Sequence, residues 1–447
     1  MAVSLKNLFS KSGTAGRGAV FTFGLRLIST GLTFVTSVIL ARLLGVRGYG
    51  TYALALEWLN FLTVPTALGM DRFMVREVSV FRAREQWGKL HGFLRWGNTA
   101  VLVASLLVAG IGAVVVTFTM ANPNLRLSFY LTLAALPLMS LTTLRQAAMR
   151  GFDHIVSGQW PELILRPLLI IGLSLGLWLL LPTFSTSFSA PWAVAALSAA
   201  TLVAFTVGAV MLSRVLRTAP RAEPVIEWRS WLITALPFLL ISAMYVVNSR
   251  TSLLMLGALG EQEDAGLYQV ASRGAEFIGM VLLAVNTAFS PMLARLYAQD
   301  KQRQLEHAVA RSTRLITLVS LPIALVFIFF GQYFLAIFGP EFAPAHSALI
   351  TLSIGQLINA ATGTVATLLN MTGHERDTAL VVGMSAVMNV ILNLLLIPRL
   401  GLEGAALATA LGTLTWNVLL SYFVYKRLGF YSVLGVYTLR KHSAPHP

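Results

Sequence analysis

Three arginines lie inside long apolar stretches of this sequence, where a charged side chain is costly to place. They are Arg26, Arg250 and Arg273. A charged residue at such a position faces a protein interior or water, and by default it indicates a functional site. Arginine keeps its charge when buried, and its planar fork donates parallel hydrogen bonds to phosphate oxygens. The three arginines, together with Asn248 beside Arg250, are therefore candidate ligands for a phosphate-bearing substrate.

Two of these arginines also have a simpler structural explanation. Arg26 could extend to the lipid headgroups at the near end of its apolar stretch. Arg273 could pair with Glu276, three residues further along the same helix. Arg250 lies deep in its stretch, and such an explanation fits it less well.

Two glutamates in apolar stretches, Glu57 and Glu276, are candidates for binding a coupling ion. A carboxylate in a low-dielectric environment can hold a proton near neutral pH, and a carboxylate can also bind sodium. The alternative is a structural ion pair with an arginine. Asp71, Arg72 and Arg76 follow the second apolar stretch and could meet an anionic substrate as it arrives, although a solvated charged loop is the simpler interpretation.

The composition identifies a membrane protein. Hydrophobic residues make up 56% of the 447 residues and charged residues only 11%, against about 25% charged residues in a soluble domain. Cysteine is absent, so disulfides and thiolate metal sites are excluded, and no motif predicts another metal site or a cofactor. The net charge of +15 comes from arginines that flank apolar stretches, which favours contact with membrane lipids over nucleic acid. The first apolar stretch is too long for a signal peptide, and we expect it to be retained.

Twelve apolar stretches are long enough to cross a bilayer, which takes about 20 residues. They are 18–42, 52–70, 95–119, 127–147, 162–181, 191–213, 231–256, 267–290, 310–335, 345–370, 378–398 and 404–425. Of the 33 lysines and arginines, nearly all fall before the first stretch, after the last, or in every second loop. Because cytoplasmic loops carry the excess of basic residues, both termini are predicted to be cytoplasmic.

A short internal repeat suggests two similar halves. The sequence Leu44-Gly45 to Ala55, after the first stretch, resembles Leu259-Gly260 to Ala271, after the seventh. Both turns fall on the same predicted side of the membrane, which indicates a parallel repeat of six plus six helices. The predicted organisation begins with a cytoplasmic amphipathic segment (1–17) and an N-terminal lobe (18–213). A basic linker (214–230), a C-terminal lobe (231–425) and a cytoplasmic tail (426–447) follow.

Several motifs in order along the chain resemble the polysaccharide-export branch of the multidrug/oligosaccharidyl-lipid/polysaccharide exporter superfamily. The matching runs are Ala41-Arg42-Leu43-Leu44-Gly45, Ala67-Leu68-Gly69-Met70-Asp71-Arg72, Ala265-Gly266-Leu267-Tyr268, Ile337-Phe338-Gly339-Pro340-Glu341-Phe342, Asn370-Met371-Thr372-Gly373-His374 and Leu396-Ile397-Pro398 to Ala406. The resemblance extends over nearly the whole chain. It implies an all-α fold of twelve transmembrane helices in two six-helix lobes, the V-shaped MATE-like arrangement.

The same resemblance implies a function, which stays an expectation here. A member would act as a monomeric flippase in the bacterial inner membrane, moving undecaprenyl-diphosphate-linked oligosaccharide by alternating access, with a proton or sodium ion as a possible coupling ion. Polysaccharide polymerase and chain-length proteins would be partners, and no bond would be broken. At Arg250 the family often has an acidic residue, so this sequence departs from the pattern there.

Three other functions remain open. One is a scaffold subunit that transports nothing, which only an assay excludes. A drug or metabolite cation antiporter on the same fold would want an acidic cavity, whereas three arginines stand against two glutamates in the apolar stretches. A membrane glycosyltransferase or polymerase would need a large outer loop, and the predicted outer loops are short. The balance of charges favours an anionic substrate.

Overall fold

The computed structural model describes residues 14–430, and every regular element in that range is a helix. The α-helices are α1 (Thr14–Thr66), α2 (Met70–Ala83), α3 (Trp87–Thr119), α4 (Pro123–Gly151), α5 (Ile155–Trp160), α6 (Arg166–Leu180), α7 (Ala190–Arg217), α8 (Trp228–Leu259), α9 (Gln262–Ala298), α10 (Gln302–Ala336), α11 (His346–Thr362), α12 (Val365–Met371) and α13 (Glu375–Leu428). A π-helical turn (Pro161–Leu165) joins α5 to α6, and short 3₁₀ turns follow α6 and precede α11. The amphipathic segment predicted at 1–17 lies mostly outside the described residues, as does most of the tail.

The helices confirm the prediction of an all-α, multi-pass membrane protein. Within the described residues, nine helices are long and apolar enough to cross a membrane, or ten if one bent pair counts as a single span. The backbone N–H and C=O groups of an α-helix bond to one another, so they need no hydrogen-bond partner from the hydrocarbon, which has none to offer. Large apolar side chains remain exposed along these helices, such as Leu107, Ile111 and Phe118 of α3, which suits contact with lipid.

Two predicted spans are interrupted. The stretch 52–70 ends as a helix at Thr66, and a short turn leads to α2. The stretch 345–370 breaks at Gly363, which has a positive φ of 74°, and the helices on either side are bent by 41°. A glycine takes such a conformation without the strain that a side chain would bring, which periodicity alone does not reveal.

Glycines also divide the two longest helices. The predicted turn at Gly45 is confirmed, because this residue has φ 66° and ψ 179° within the 53 residues of α1. In α13, which has 54 residues, Gly401 has φ 52° and ψ −125°. The second turn of the proposed repeat is also present, since α8 ends at Leu259 and α9 begins at Gln262.

The chain forms two compact units, the first ending at Val246 and the second beginning at Val247. This division falls inside α8 and not in the predicted linker 214–230, so the boundaries of functional lobes stay a prediction. In the first unit, an aromatic cluster forms part of the core: the Phe93 ring lies 5.2 Å from Phe73 and 5.0 Å from Trp231, centroid to centroid. In the second unit, Leu293, Leu368 and Leu420 belong to one buried apolar cluster.

The segment between α7 and α8 is held against the start of α3. The amide of Val225 donates a 3.0 Å hydrogen bond to the carbonyl of Gly88, and Lys89 pairs with Glu227 at 2.8 Å. A Cβ on Gly92 would overlap the carbonyl oxygen of Val225. The predicted linker is therefore irregular between Arg217 and Trp228, and its backbone there is fixed against the start of α3.

Gly45→Ala tests whether the break in α1 requires glycine. The φ and ψ of Gly45 lie in a region that only glycine adopts readily, so alanine should cost about 1–3 kcal/mol of unfolding free energy. No heavy atom lies within 4 Å of the position of the added Cβ, so the loss comes from the backbone alone. Thermal unfolding in detergent measures it.

Gly31→Ala is the matched control in the same helix. Its added Cβ also meets no atom within 4 Å, but its φ is helical. Alanine should raise helix stability there by up to about 1 kcal/mol. Equal midpoints for the two variants would contradict the requirement for glycine at position 45.

Candidate functional site

A sharp turn between α1 and α2 places the predicted charged residues beside α8. Leu68 and Gly69 both have positive φ, 53° and 71°, and Gly69 approaches the backbone of Ala235 and Leu239 so closely that a Cβ would overlap it. Asp71 therefore begins a helix that lies against α8. The interpretation of residues 71–77 as a solvated loop is wrong, because they form the first two turns of α2.

The apolar positions of α2 explain this correction. Met70, Phe73, Met74, Val78 and Phe81 are buried, which is the three- and four-residue spacing of an amphipathic helix. The helix is short and its mean hydropathy is low, so it does not stand out in the sequence as a membrane span. Its periodicity was nevertheless present in the sequence as a signal.

Three arginines of the first unit converge near the start of α2. We define the arginine cluster as Arg26 of α1, Arg72 of α2 and Arg150 of α4. Arg150 lies within electrostatic range of Asp71, Arg26 and Arg72, and its Nη2 donates a 3.2 Å hydrogen bond to the backbone carbonyl of Asp71. Arg150 thus has two further guanidinium groups and one carboxylate near it, and the cluster is positively charged.

The exposure of these side chains suits a ligand site. Arg26 and Arg72 are exposed, whereas Arg150 is half-buried and its Nε makes no hydrogen bond within the described part of the chain. The carboxylate of Asp71 is 3.3 Å from the hydroxyl of Ser242 on α8, which can donate a weak hydrogen bond to it. Free guanidinium donors next to a hydroxyl can bind phosphate oxygens and neighbouring polar groups.

Aromatic rings of α2 and α8 lie beside the cluster. The guanidinium of Arg72 lies over Tyr245, 5.4 Å from the ring centroid. Arg76 lies over Phe73 at 5.3 Å and over Phe238 at 5.6 Å, and it also pairs with Glu77 at 2.7 Å. Arg76 is therefore held by its own helix, which makes it a weaker candidate for substrate contact than Arg72.

The remaining predicted site residues belong to the second unit. Arg273 pairs with Glu276 through Nη1 and Oε2 at 2.9 Å, as the structural alternative predicted. Arg250 is half-buried in α8, and the neighbouring Asn248 has its Nδ2 buried without a hydrogen-bond partner in the described range 14–430. The structure therefore brings Arg26, Asp71 and Arg72 together, and separately joins Arg273 to Glu276.

Glu57, the other coupling candidate, is buried in α1 with 2% of its surface exposed. Within the described residues, no group of three or more histidine, cysteine or acidic side chains could hold a metal ion. A site that binds ions here would rest on single carboxylates.

Sequence reasoning missed a buried ion pair in the first unit. Arg145 of α4 and Glu162 of the π-helical turn are hydrogen-bonded through Nη2 and Oε1, with only 3% and 6% of their side chains exposed. Arg145 lies inside a helix and not in a cytoplasmic loop, because α4 continues to Gly151. One signal was available in the sequence: no glycine, proline, asparagine or aspartate lies between Pro137 and Gly151 to end the helix. In the structure, Gly208 of α7 makes room for this guanidinium.

Comparisons with known proteins show the family of this chain. The model of the polysaccharide biosynthesis protein family matches residues 15–297, more than half of the chain. The chain belongs to this family. A second model, that of the MatE family, matches residues 237–395.

Curated relatives of this family member match over part of their length. A probable low-salt glycan biosynthesis flippase of Haloferax volcanii, Agl15, is 28% identical over 38% of this chain and 36% of its own length. Probable flippase AglR of the same organism is 26% identical over 37% and 36%. A capsular polysaccharide biosynthesis protein, CapF of Staphylococcus aureus, is 22% identical over 46% and 52%. The chain thus spans about a third to a half of these relatives.

Solved structures show the fold. An inward-facing multidrug resistance transporter of the MATE family has a TM-score of 0.71 at 14% identity, covering 92% of this chain and 98% of that one. The lipid II flippase MurJ also has a TM-score of 0.71 at 13% identity, covering 91% and 87%. The family member therefore has the fold of the MATE and MurJ transporters, as predicted.

The buried ion pair makes a clear prediction for stability. Arg145→Met removes the guanidinium that Glu162 bonds to in the structure, which should lower the unfolding free energy by up to about 3–5 kcal/mol. The nearby Arg166 offsets part of that cost. The double variant Arg145→Met/Glu162→Met removes both charges and should recover most of that loss. Chemical unfolding in detergent measures both.

Arg217→Met is the control, because Arg217 is exposed near the end of α7 and its loss should change stability by less than about 1 kcal/mol. If Arg145→Met were as stable as Arg217→Met, the Arg145–Glu162 pair would not be desolvated as the structure describes.

Proposed function

We propose that this protein is a flippase for lipid-linked oligosaccharides. Its substrate would be undecaprenyl-diphosphate-linked repeat units, moved from the inner to the outer leaflet of a bacterial inner membrane for O-antigen, capsule or exopolysaccharide synthesis. The observation that carries this proposal is the arginine cluster, in which Arg150 lies near Arg26 and Arg72 and near the carboxylate of Asp71. Membership of the polysaccharide biosynthesis protein family supports the same substrate class.

The physical task fits these residues. Moving a diphosphate and a glycan through hydrocarbon unaided costs many kcal/mol, because buried charges without partners are very unfavourable. Guanidinium groups neutralise the diphosphate, while a hydroxyl such as that of Ser242 replaces water around polar atoms. The prenyl chain stays in lipid, and no covalent bond need change. We therefore propose transport without enzymatic chemistry.

We further infer twelve membrane crossings with cytoplasmic termini. At about 1.5 Å per residue, α1 and α13 are each about 80 Å long, more than twice the thickness of the hydrocarbon core, about 30 Å. Each is broken at a glycine, Gly45 or Gly401. Dividing both helices there turns the ten candidate spans into twelve, and the basic loops then fall on the cytoplasmic side.

The driving force is proposed to act through a carboxylate. Glu57 is the better of the two predicted candidates, because it is buried, whereas the side chain of Glu276 is 49% exposed and paired with Arg273. A proton or a sodium ion would be the coupling ion. Polymerase and chain-length proteins would receive the flipped lipid, and a single chain would suffice for transport.

A cation-coupled drug or metabolite antiporter is the second candidate. The match of the MatE family model to residues 237–395 and the likeness to a multidrug transporter of that family favour it. Such a site would want acidic side chains for a cationic substrate, and the arginine cluster has the opposite charge. A related transporter from Pyrococcus furiosus is described as having a binding pocket of reverse polarity that suggests a different function.

Arg72→Ala tests the proposed phosphate contact. The side chain is exposed and touches Tyr245, so its loss should leave folding intact. We expect flipping to slow by about tenfold, equivalent to about 1.4 kcal/mol from one charged hydrogen bond. The assay follows a fluorescent undecaprenyl-diphosphate oligosaccharide in liposomes, as it becomes accessible to an external quencher. Arg217→Ala is the control, and an equal rate for both variants would remove Arg72 from the site.

Arg250→Ala extends the test to the second unit. The same assay should show a loss of about tenfold, since a half-buried arginine that binds phosphate contributes a charged hydrogen bond. Unfolding in detergent checks that the variant folds normally. If the wild-type protein instead leaves the lipid in place and exports organic cations against a proton gradient, the antiporter is correct and the flippase is not.

A further inference from the structure

The buried ion pair leaves several polar atoms without hydrogen bonds. Nε and Nη1 of Arg145 and Oε2 of Glu162 have no partner among the described residues. Nearby Arg166 also has its Nε unbonded, and its Nη1 lies 3.0 Å from the sulfur of Met139. Leaving a buried group of this kind without a hydrogen bond is unfavourable. Two arginines are thus only partly satisfied by one carboxylate.

Glu162 lies in the π-helical turn between α5 and α6. The amide of Arg166 donates its hydrogen bond to the carbonyl of Pro161, five residues back. Pro161 has no N–H, and its ring crowds the preceding turn, which favours a wider winding at this point. Short π-helical turns are rare and occur often at functional sites.

The sequence spacing offers Glu162 a second partner. Glu162 and Arg166 are four residues apart, the spacing at which a glutamate and a following arginine pair on an α-helix. In the structure Glu162 bonds to Arg145 instead. Conversion of the π-helical turn to α-helix changes the register by one residue, which is about 100° of rotation and about 1.5 Å of translation. That change would turn Glu162 towards Arg166.

The surroundings favour an exchange of partners over a site for a large ligand. Gly208 of α7 lies against the guanidinium of Arg145 so closely that a Cβ would overlap it. The charged groups that act on Glu162 are Arg145 and Arg166, with Gln146 hydrogen-bonded beside them. A single carboxylate therefore lies between two guanidinium groups on different helices.

We propose that Glu162 exchanges between Arg145 and Arg166 during transport, with the π-helical turn Pro161–Leu165 as the element that changes register. Glu162 and Arg166 act as positioning residues, because neither needs to touch the substrate. In each state one arginine holds the carboxylate and the other is released, while α6 rotates. This inference rests on the proposed transport function.

Arg166→Met separates this proposal from a purely structural pair. The substitution removes the second partner and leaves the Arg145–Glu162 hydrogen bond in place. We expect flipping to slow by about tenfold, within the usual range of coupling between two states, with an unchanged thermal midpoint. Deletion of Ile164 removes the extra residue of the turn, and we expect a comparable loss of flipping. Arg217→Met is the matched control.

A second readout follows the conformation itself. The sequence has no cysteine, so nitroxide labels can be attached to a Leu127→Cys/Leu168→Cys protein, and both positions are exposed, on α4 and α6. Double electron–electron resonance spectroscopy measures the distance between the two labels. For the otherwise unchanged protein in liposomes containing the lipid substrate, it should show two populations of that distance. Adding Arg166→Met should leave one population, whereas adding Arg217→Met should leave both.

The outcomes separate the two proposals. Wild-type flipping in Arg166→Met, or two unchanged populations in that variant, would overturn the partner exchange. If the unchanged protein moves no lipid but still shows two populations that Arg166→Met reduces to one, the exchange stands and the flippase function fails.

Discussion

The low dielectric of the membrane interior is the constraint on which this structure depends. It requires helices, because only helices satisfy their own backbone groups there, and it requires that a buried charge have a partner. Arg145 and Glu162 obey the second requirement within the first unit, and Arg273 and Glu276 do so within the second. The arginine cluster differs, since the half-buried Arg150 has two other guanidinium groups and only the carboxylate of Asp71 among the charged groups that act on it. An excess of positive charge is what a carrier of an anionic head group needs.

The two units meet this constraint with different chemistry. In the second unit the buried polar network is made of amides and a hydroxyl. Asn393 donates to Asn389 at 2.9 Å, Asn417 donates to Asn359 at 3.0 Å, and Thr362 donates to Asn417 at 2.7 Å. Neutral hydrogen bonds of this kind join membrane helices without a large desolvation penalty. The buried ion pair of the first unit carries a larger desolvation cost than these neutral bonds.

Much of the fold followed from the pattern of apolar residues. Long stretches predicted helices, and the turn at Gly45 was predicted from a repeated motif. The break at Gly363 was not, because it depends on a backbone conformation and on contact with Thr313. The start of α2 also escaped prediction, because residues 71–77 look like a charged loop when the buried face of a short helix is not considered.

The candidate site was predictable only in part. Arg26, Asp71 and Arg72 were singled out by charge and position, and they do lie together. Arg150 and Arg145 were not, because a basic residue near the end of a span looks like an ordinary cytoplasmic flank until the length of α4 is known. Glu162 was hidden for the same reason at the start of its span. The positions of these side chains depend on tertiary contacts between helices, and no single stretch of sequence contains those contacts.

The irregular segment between α7 and α8 has a consequence for the evolution of the family. Val225 bonds to Gly88, and its carbonyl oxygen occupies the space that a side chain at Gly92 would need. A connection fixed at these points tolerates few insertions or deletions, unlike an ordinary surface loop. Homologous sequences should therefore vary in the composition of this segment but keep its length. They should also keep small residues at the positions of Gly88 and Gly92 on α3.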